Sequence, residues 1–428
     1  MNSGIFDMLK RVLRDNSTIA RNTGYLTVIE CVHIFLPFVA LPYVIRTIGM
    51  ELYGTVAFAQ TLVQYFLILI NFGLDISAVK DVSVNRHDSE ALGRIVSTVL
   101  GVKVLLLAFS SLLLAGGMFA IPFMREQRLL MAFAFLTCLT EVLFPVWFYQ
   151  GIEKMKYITL VRAGSILFYT VSVFLFVRGA GDYRTVALLQ SLGNVAAGCV
   201  SFYCLLRIEK VSLVLPTAGE LRAMFRQSIP FWFSRVSVVF NTNLAKTVSG
   251  LFFTMESVAA FELAQRITNG VLIPTRMLNQ AAYPHVARTR DRRFVGRFLL
   301  LNIATAALTA TAVCAAAPWL IRLFAGGEAP QAVALLRIFC LYAFSCCITI
   351  CMGSTMLVAF GHPGPFNASV IWSTLVLVLA YAALYAAGAF TIYNFALAIV
   401  AADVFVLLYR FCHCRRYGII RFNGEGKE

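Results

Sequence analysis

Twelve long apolar stretches run through this chain of 428 residues and limit the folds that it can adopt. A helix needs about 20 mostly apolar residues to span a bilayer. Lipid offers no hydrogen-bond partners to the backbone, so such a stretch folds as a helix. The predicted spans are residues 23–45, 53–74, 95–118, 128–149, 157–178, 184–206, 229–253, 257–284, 298–324, 331–358, 367–388 and 390–411. The sequence therefore predicts an all-α integral membrane protein with twelve transmembrane helices.

Composition excludes a water-soluble protein. Hydrophobic residues make up 60% of the chain and charged residues only 13%, whereas soluble domains have roughly 25% charged residues. The connections between the spans are short and polar, which leaves no room for a separate soluble domain. The net charge of +15 is spread over these connections, so we expect no nucleic-acid partner.

The loop charges predict the orientation. If the N-terminus is cytoplasmic, 23 of the 36 Lys and Arg residues lie on the cytoplasmic side and six on the other. This bias follows the positive-inside rule and places both termini in the cytoplasm. The remaining seven cations fall within the apolar stretches: Lys103, Arg162, Arg235, Lys246, Arg266, Arg276 and Arg337.

A weak internal repeat indicates two halves. "MELYGTVAFAQ" begins at Met50 and "MESVAAFELAQ" at Met255, and the two share Met-Glu and Ala-Gln at the same spacing. The offset is close to half the chain. We therefore predict two pseudo-symmetric six-helix bundles, related by an axis along the membrane normal. The predicted domains are an N-terminal lobe at 1–206, a linker at 207–227, a C-terminal lobe at 228–412 and a cytoplasmic tail at 413–428.

No catalytic constellation is present. The chain has no Walker A loop and no Gly-x-Ser-x-Gly elbow, and its five histidines are scattered. The run Cys412-His413-Cys414 is too compact for a usual zinc site and has no second ligand pair. We expect a protein that is not an enzyme and that has no metal or cofactor.

Charged and polar groups within the spans are the candidate site. An ionisable side chain near the bilayer centre costs at least about 3 kcal/mol unless it meets a partner or a wet cavity. A cationic cavity rich in hydrogen-bond donors suits a hydrophilic anionic substrate. Snorkelling to the interface is the alternative for Arg162 and Arg235, and plain helix–helix hydrogen bonding is the alternative for the amides. The candidate substrate contacts are Lys103, Lys246, Arg266, Arg276, Asn241 and Asn243.

Carboxylates also lie within the spans. Glu30, Glu141 and Asp403 are candidates for binding a coupling proton or Na⁺. The alternative is structural ion pairing. Glu262 and Arg266 are four residues apart, so they share a helix face and can neutralise each other.

Prolines recur within the spans at Pro37, Pro42, Pro145 and Pro274. Proline removes a backbone donor and loosens a helix, and neighbouring groups or water can pair the freed carbonyls in a membrane protein. We predict that these prolines are hinges of a transporter that alternates between two open states. A static kink for packing is the alternative.

Two motifs resemble known sequences. The stretch "LPYVIRTIGMELYGTVAFAQTLVQYFLILINFGLDISAVKDVSVNR" resembles the N-terminal signature of the Wzx-type polysaccharide flippases. The matching positions are Leu41, Pro42, Tyr43, Arg46, Ile48, Gly49, Tyr53, Gly54, Asn71, Phe72, Gly73 and Leu74. The stretch "FPVWFYQGIEKMKYIT" resembles a turn of the same family, at Trp147, Gln150, Gly151 and Glu153.

This resemblance implies the multidrug/oligosaccharidyl-lipid/polysaccharide exporter fold. It also implies a substrate, an undecaprenyl-pyrophosphate-linked oligosaccharide that crosses the bacterial inner membrane for O-antigen or capsule synthesis by ion-coupled alternating access. Arg46 would then receive the head group at the outer mouth. A polysaccharide polymerase and a chain-length regulator would be partners, together with membrane lipid.

Three other functions stay open at this point. A multidrug cation antiporter of the same superfamily would prefer an acidic cavity, and the basic excess argues against it. A lipid II flippase typically has more than twelve helices. A membrane-bound glycan polymerase or ligase would be an enzyme, and such proteins usually have a large periplasmic loop, which this sequence does not predict.

Overall fold

The computed structural model describes residue 36 and residues 38–420, without the side chains of residues 234 and 237–242. All regular secondary structure in this part of the chain is helical, and it contains no strand. The predicted all-α class is therefore confirmed. Glu30 and Pro37 lie outside the described residues, as does the side chain of Asn241.

The chain divides into two compact units, residues up to Val248 and residues from Ser249. In the first unit a 3₁₀ turn at Leu136–Leu139 joins α6 to α7, and a π-helix at Cys204–Ile208 follows α10. Its helices are α1 Phe38–Ile48, α2 Met50–Asn71, α3 Leu74–Val84, α4 Ser89–Ala120, α5 Pro122–Glu126, α6 Arg128–Phe135, α7 Thr140–Leu143, α8 Val146–Gly151, α9 Met155–Phe176 and α10 Tyr183–Tyr203, with α11 Ala218–Phe252 running past its boundary.

The second unit continues with long helices. A π-helix, Cys351–Val358, directly follows the helix Pro330–Ile350. The helices are α12 Met255–Val271, α13 Ile273–Thr289, α14 Arg292–Ala325, α15 Pro330–Ile350, α16 Pro363–Ala386 and α17 Ile392–Arg416. The predicted boundary between the transport lobes, at 207–227, stays a prediction.

Nine helical segments among the described residues are long and apolar enough to cross a bilayer. The other three predicted spans are not among these nine segments, and each for a different reason. Of the span at 23–45, the structure describes only the part that enters α1. The span at 229–253 falls in α11 up to Phe252, and this helix is rich in polar residues. The span at 257–284 is divided between α12 and α13. The count of twelve stays a prediction, whereas a multi-pass membrane protein is established.

A break between α2 and α3 interrupts the apolar segment Met50–Val84. Phe72 has φ 50° and Gly73 has φ 72°, the left-handed region that glycine tolerates best. A Cβ atom on Gly73 would stand 2.7 Å from the backbone nitrogen of Trp232, so only glycine fits this approach. The break places Asn71 and Asp75 on the two helix ends that flank it.

Candidate functional site

The first unit contains a cavity of about 740 Å³. Eight of its helices, α2, α3, α4 and α7 to α11, contribute side chains to the wall. The charged lining residues are Asp75, Lys103, Glu141, Arg162 and Arg235, and the amide and hydroxyl residues are Gln64, Asn71, Thr137, Thr140, Gln150, Ser165 and Asn194. A wall with this many polar groups indicates a cavity that water can enter.

An ion pair lies on this wall. Lys103 Nζ is 2.9 Å from Glu141 Oε2, and Asn71 Nδ2 donates to the same oxygen at 3.1 Å. The Lys103 side chain is 2% exposed, whereas that of Glu141 is 27% exposed. The two residues were predicted for different roles, substrate contact and ion coupling, and the structure brings them together.

Pro145 explains the second contact of Lys103. The carbonyl of Glu141 would accept the N–H four residues later in a regular helix, but that residue is Pro145, which has no N–H. Lys103 Nζ donates to this carbonyl at 2.9 Å. The ammonium group therefore replaces the missing backbone donor and holds the end of α7 at the cavity. The hinge role of Pro145 stays a prediction.

A second ion pair crosses the cavity wall. Arg235 Nη2 on α11 is 2.5 Å from Asp75 Oδ2, at the start of α3. Arg162, on α9, also lines the cavity. The lining side chains thus comprise three cations and two carboxylates, which leaves a net positive charge.

The other predicted residues of the first unit lie outside the lining of this cavity. Arg46 is exposed on α1, which also contains Pro42. Asn243 and Lys246 are half-buried on α11. Their substrate contacts stay predictions.

In the second unit, the predicted i,i+4 pair is present. Arg266 Nε donates to Glu262 Oε1 at 2.9 Å. Arg276 is exposed on α13, and Pro274 is in the first turn of that helix. The roles proposed for Arg266, Arg276 and Pro274 stay predictions.

Asp403 lies in a polar cluster that the sequence did not predict. Its Oδ2 accepts from Ser345 Oγ at 2.5 Å. Arg410 follows seven residues later on the same face of α17 and is only 6% exposed. The Arg410 guanidinium donates to the carbonyl of Thr349 at 2.7 Å and to Ser369 Oγ at 2.9 Å, and it lies 4.7 Å from the centroid of the Phe366 ring. The count of loop charges included Arg410 among the 23 cytoplasmic cations. Its position two helical turns after Asp403 was the feature of the sequence that could have indicated this cluster.

Gly353, in the π-helix, makes room for this guanidinium. A Cβ atom there would collide with Arg410 Nη1 and stand 2.9 Å from the Phe366 ring. We expect Gly353→Ala to destabilise the protein by about 1–3 kcal/mol, the usual cost of overpacking. The measurement is the thermal stability of the purified protein.

Gly296 supplies the matched control for this substitution. It lies within α14 of the same unit, and a Cβ atom there meets nothing within 4 Å. Gly296→Ala should stabilise the helix by up to about 1 kcal/mol, since alanine is the better helix former. Equal stability of the two variants would contradict the packing described for Arg410.

Comparisons with known proteins give consistent results. The family described as "Polysaccharide biosynthesis protein" matches residues 19–290. The "Putative O-antigen transporter" of Escherichia coli (strain K12) is 23% identical over 273 residues, which are 64% of this chain and 66% of that protein. The "Putative O-antigen transporter" of Shigella dysenteriae is 23% identical over 403 residues, which are 91% of this chain and 98% of that protein.

The fold of this chain is similar to those of solved membrane transporters. An inward-facing multidrug resistance MATE family transporter of the MOP superfamily has a TM-score of 0.70 at 16% identity, over 89% of this chain and 94% of that one. The lipid II flippase MurJ, in an inward closed conformation, has a TM-score of 0.70 at 13% identity, over 91% of this chain and 87% of that one. At these identities the likeness shows the fold alone.

Proposed function

Since the chain belongs to the family of polysaccharide biosynthesis proteins, we propose that it is a flippase for a lipid-linked oligosaccharide. The substrate of this proposal is an undecaprenyl-pyrophosphate-linked repeat unit for O-antigen or a related glycan. The two O-antigen transporters that it resembles support this substrate class. The reaction is transport rather than catalysis, and the membrane is the bacterial inner membrane.

The polar cavity of the first unit is the observation that carries the proposal. Its three cations and two carboxylates suit an anionic, hydrophilic head group better than a cationic drug. Pyrophosphate oxygens are strong acceptors for ammonium and guanidinium donors. In our proposal the glycan and pyrophosphate enter this cavity while the polyprenyl tail stays in lipid.

The Lys103–Glu141 pair offers a route to ion coupling. A pyrophosphate that binds Lys103 competes with Glu141 for the ammonium group, and the released carboxylate can take up a proton from cavity water. Asp403 and Glu30 are further candidates for this role, as predicted from the sequence. Movement then follows alternating access of two six-helix lobes, with both termini in the cytoplasm.

A deletion strain tests the function directly. We expect loss of surface polysaccharide and accumulation of the lipid-linked repeat unit on the inner leaflet, and we expect the wild-type gene to restore both. The leaflet can be assigned by the accessibility of the glycan to a membrane-impermeant lectin in sealed inside-out and right-side-out vesicles. A deletion strain with normal surface glycan would contradict the proposal.

The same vesicles separate the alternatives. A multidrug antiporter would export cationic dyes and leave the glycan unaffected. A lipid II flippase would instead cause lipid II to accumulate on the inner leaflet. Collapse of the proton or sodium gradient with selective ionophores identifies the coupling ion, and co-purification tests the polymerase and the chain-length regulator as partners.

A further inference from the structure

Six exposed arginines lie at one end of the second unit. Two segments that are distant in sequence supply them, the turn from α13 into α14 and the end of α17. We call this surface the arginine patch, and its members are Arg288, Arg290, Arg292, Arg293, Arg415 and Arg416. Residues 286–300, 357–366 and 410–420 contain a single acidic residue, Asp291, which caps the start of α14. The patch is therefore strongly positive.

Close approaches show that these segments form one surface. A Cβ atom on Gly418, just after α17, would stand 3.9 Å from Arg292 Nη1. A Cβ atom on Gly361, in the connection from the π-helix to α16, would stand 3.7 Å from Arg290 Nη2. The guanidinium groups of the α13–α14 turn therefore lie beside both neighbouring segments.

Packing holds the segments of the patch in place. The rings of His362 and Tyr417 stack on each other, with their centroids 3.8 Å apart. Val286, Val295 and Ile419, which flank the arginines in sequence, are buried in one hydrophobic cluster. The arginines are therefore carried by packed segments of the fold.

The patch lies at the level where membrane spans end. Four candidate spans have one end at this surface: α14 begins at Arg292, the segment that includes the π-helix ends at Val358, α16 begins at Pro363 and α17 ends at Arg416. The ends of helices that span a bilayer lie among the lipid headgroups. The arginine fork also matches the geometry of a phosphate group. Position and chemistry therefore both fit the phosphate of a lipid.

The orientation of the chain does not by itself explain the patch. Lys and Arg set the orientation of a membrane protein and acidic residues contribute little to it, so a loop can serve this purpose with its cations paired. Arg86 of the first unit is an example, 3.6 Å from Glu153. Arg292 and Arg293 moreover begin a helix, where positive charge is unfavourable. The excess of cations over acids at this place therefore indicates an anion from outside the chain.

We propose that the arginine patch binds the headgroups of anionic phospholipids. A bound headgroup joins the ends of α14, α16 and α17 at the membrane surface, on the side that the loop charges predict to be cytoplasmic. Basic clusters at the ends of membrane spans are attracted to anionic lipids. The inference requires only a multi-pass membrane protein and does not depend on the substrate that is transported.

Lipid titration tests the patch. The full-length protein in detergent is titrated with phosphatidylglycerol or with phosphatidylcholine of the same acyl chains, and the bound lipids are counted by native mass spectrometry. We expect the wild-type protein to bind the anionic lipid more tightly. Arg290→Gln/Arg292→Gln should weaken this binding roughly 25-fold, from a loss of roughly 5-fold for each arginine near an anionic headgroup. Unchanged binding of phosphatidylcholine shows that the variant is folded.

Arg86→Gln/Arg94→Gln is the matched control. It removes the same charge from exposed positions of the first unit, where Arg94 is 3.1 Å from Glu90. Because these arginines lie outside the patch and face carboxylates, the affinity for phosphatidylglycerol should stay close to that of the wild-type protein.

Three results would overturn the inference. Equal affinities of the wild-type protein for the two lipids would show that headgroup charge is not recognised. An equal loss in the two double variants would reduce the effect to the net charge of the protein. Wild-type affinity for phosphatidylglycerol in Arg290→Gln/Arg292→Gln would place the anionic lipid elsewhere and leave the patch to an acidic protein.

Discussion

Lys103→Met should abolish glycan export and destabilise the protein by about 3–5 kcal/mol, the usual cost of removing one partner of a buried ion pair. The variant leaves the Glu141 carboxylate without its cation and the Glu141 carbonyl without a donor. The measurements are thermal stability in detergent or nanodiscs and surface glycan in the complemented deletion strain.

Lys103→Met/Glu141→Gln separates the two effects. Glutamine is neutral, so no buried charge is left unpaired, and the double variant should regain more than half of the lost stability. Export should remain abolished, since the cation that meets the head group is still missing. Wild-type export by the double variant would rule out a role for Lys103 in substrate binding.

Lys154 provides the control for these variants. It pairs with Glu209 at 2.6 Å, but its side chain is 46% exposed. Solvent-exposed pairs contribute roughly 0–1 kcal/mol, so Lys154→Met should change stability little. A comparable loss in both lysine variants would show that the burial of Lys103 is not what matters.

Arg410→Met should cause the second large effect, also about 3–5 kcal/mol of stability. The substitution removes the donors to the Thr349 carbonyl and to Ser369, the contact with the Phe366 ring, and the cation nearest in sequence to Asp403. Thermal unfolding of the purified protein and its abundance in the membrane are the measurements.

Two further variants make this prediction specific. Arg416→Met, at an exposed position at the end of the same helix, should be close to neutral. Arg410→Met/Asp403→Asn should recover part of the loss if Asp403 depends on Arg410 for its charge balance. If Arg410→Met is as stable as Arg416→Met, the described cluster contributes nothing to stability.

Local sequence patterns predicted the helices well. The span at 95–118 lies within α4, and the span at 367–388 closely matches α16, because apolar runs of this length have no alternative in lipid. The i,i+4 pair of Glu262 and Arg266 followed from helix geometry alone. The resemblance to polysaccharide flippases is confirmed by the family match over residues 19–290.

Local sequence patterns could not predict contacts between residues that are far apart in the sequence. Lys103 and Glu141 are 38 residues apart, and Arg410 and Thr349 are 61 apart. No helical periodicity relates residues at such separations. The burial of Arg410 was missed for a second reason: counting loop charges treats an arginine near the end of an apolar stretch as a cytoplasmic one, whereas packing decides its position.

The bond from Lys103 to the carbonyl freed by Pro145 has an evolutionary consequence. In a relative with a residue other than proline at position 145, the backbone N–H of that residue can donate to the carbonyl of residue 141. The amine at position 103 is then needed only for the carboxylate of residue 141. We therefore expect positions 103 and 145 to covary in an alignment, although no sequence pattern relates the two positions.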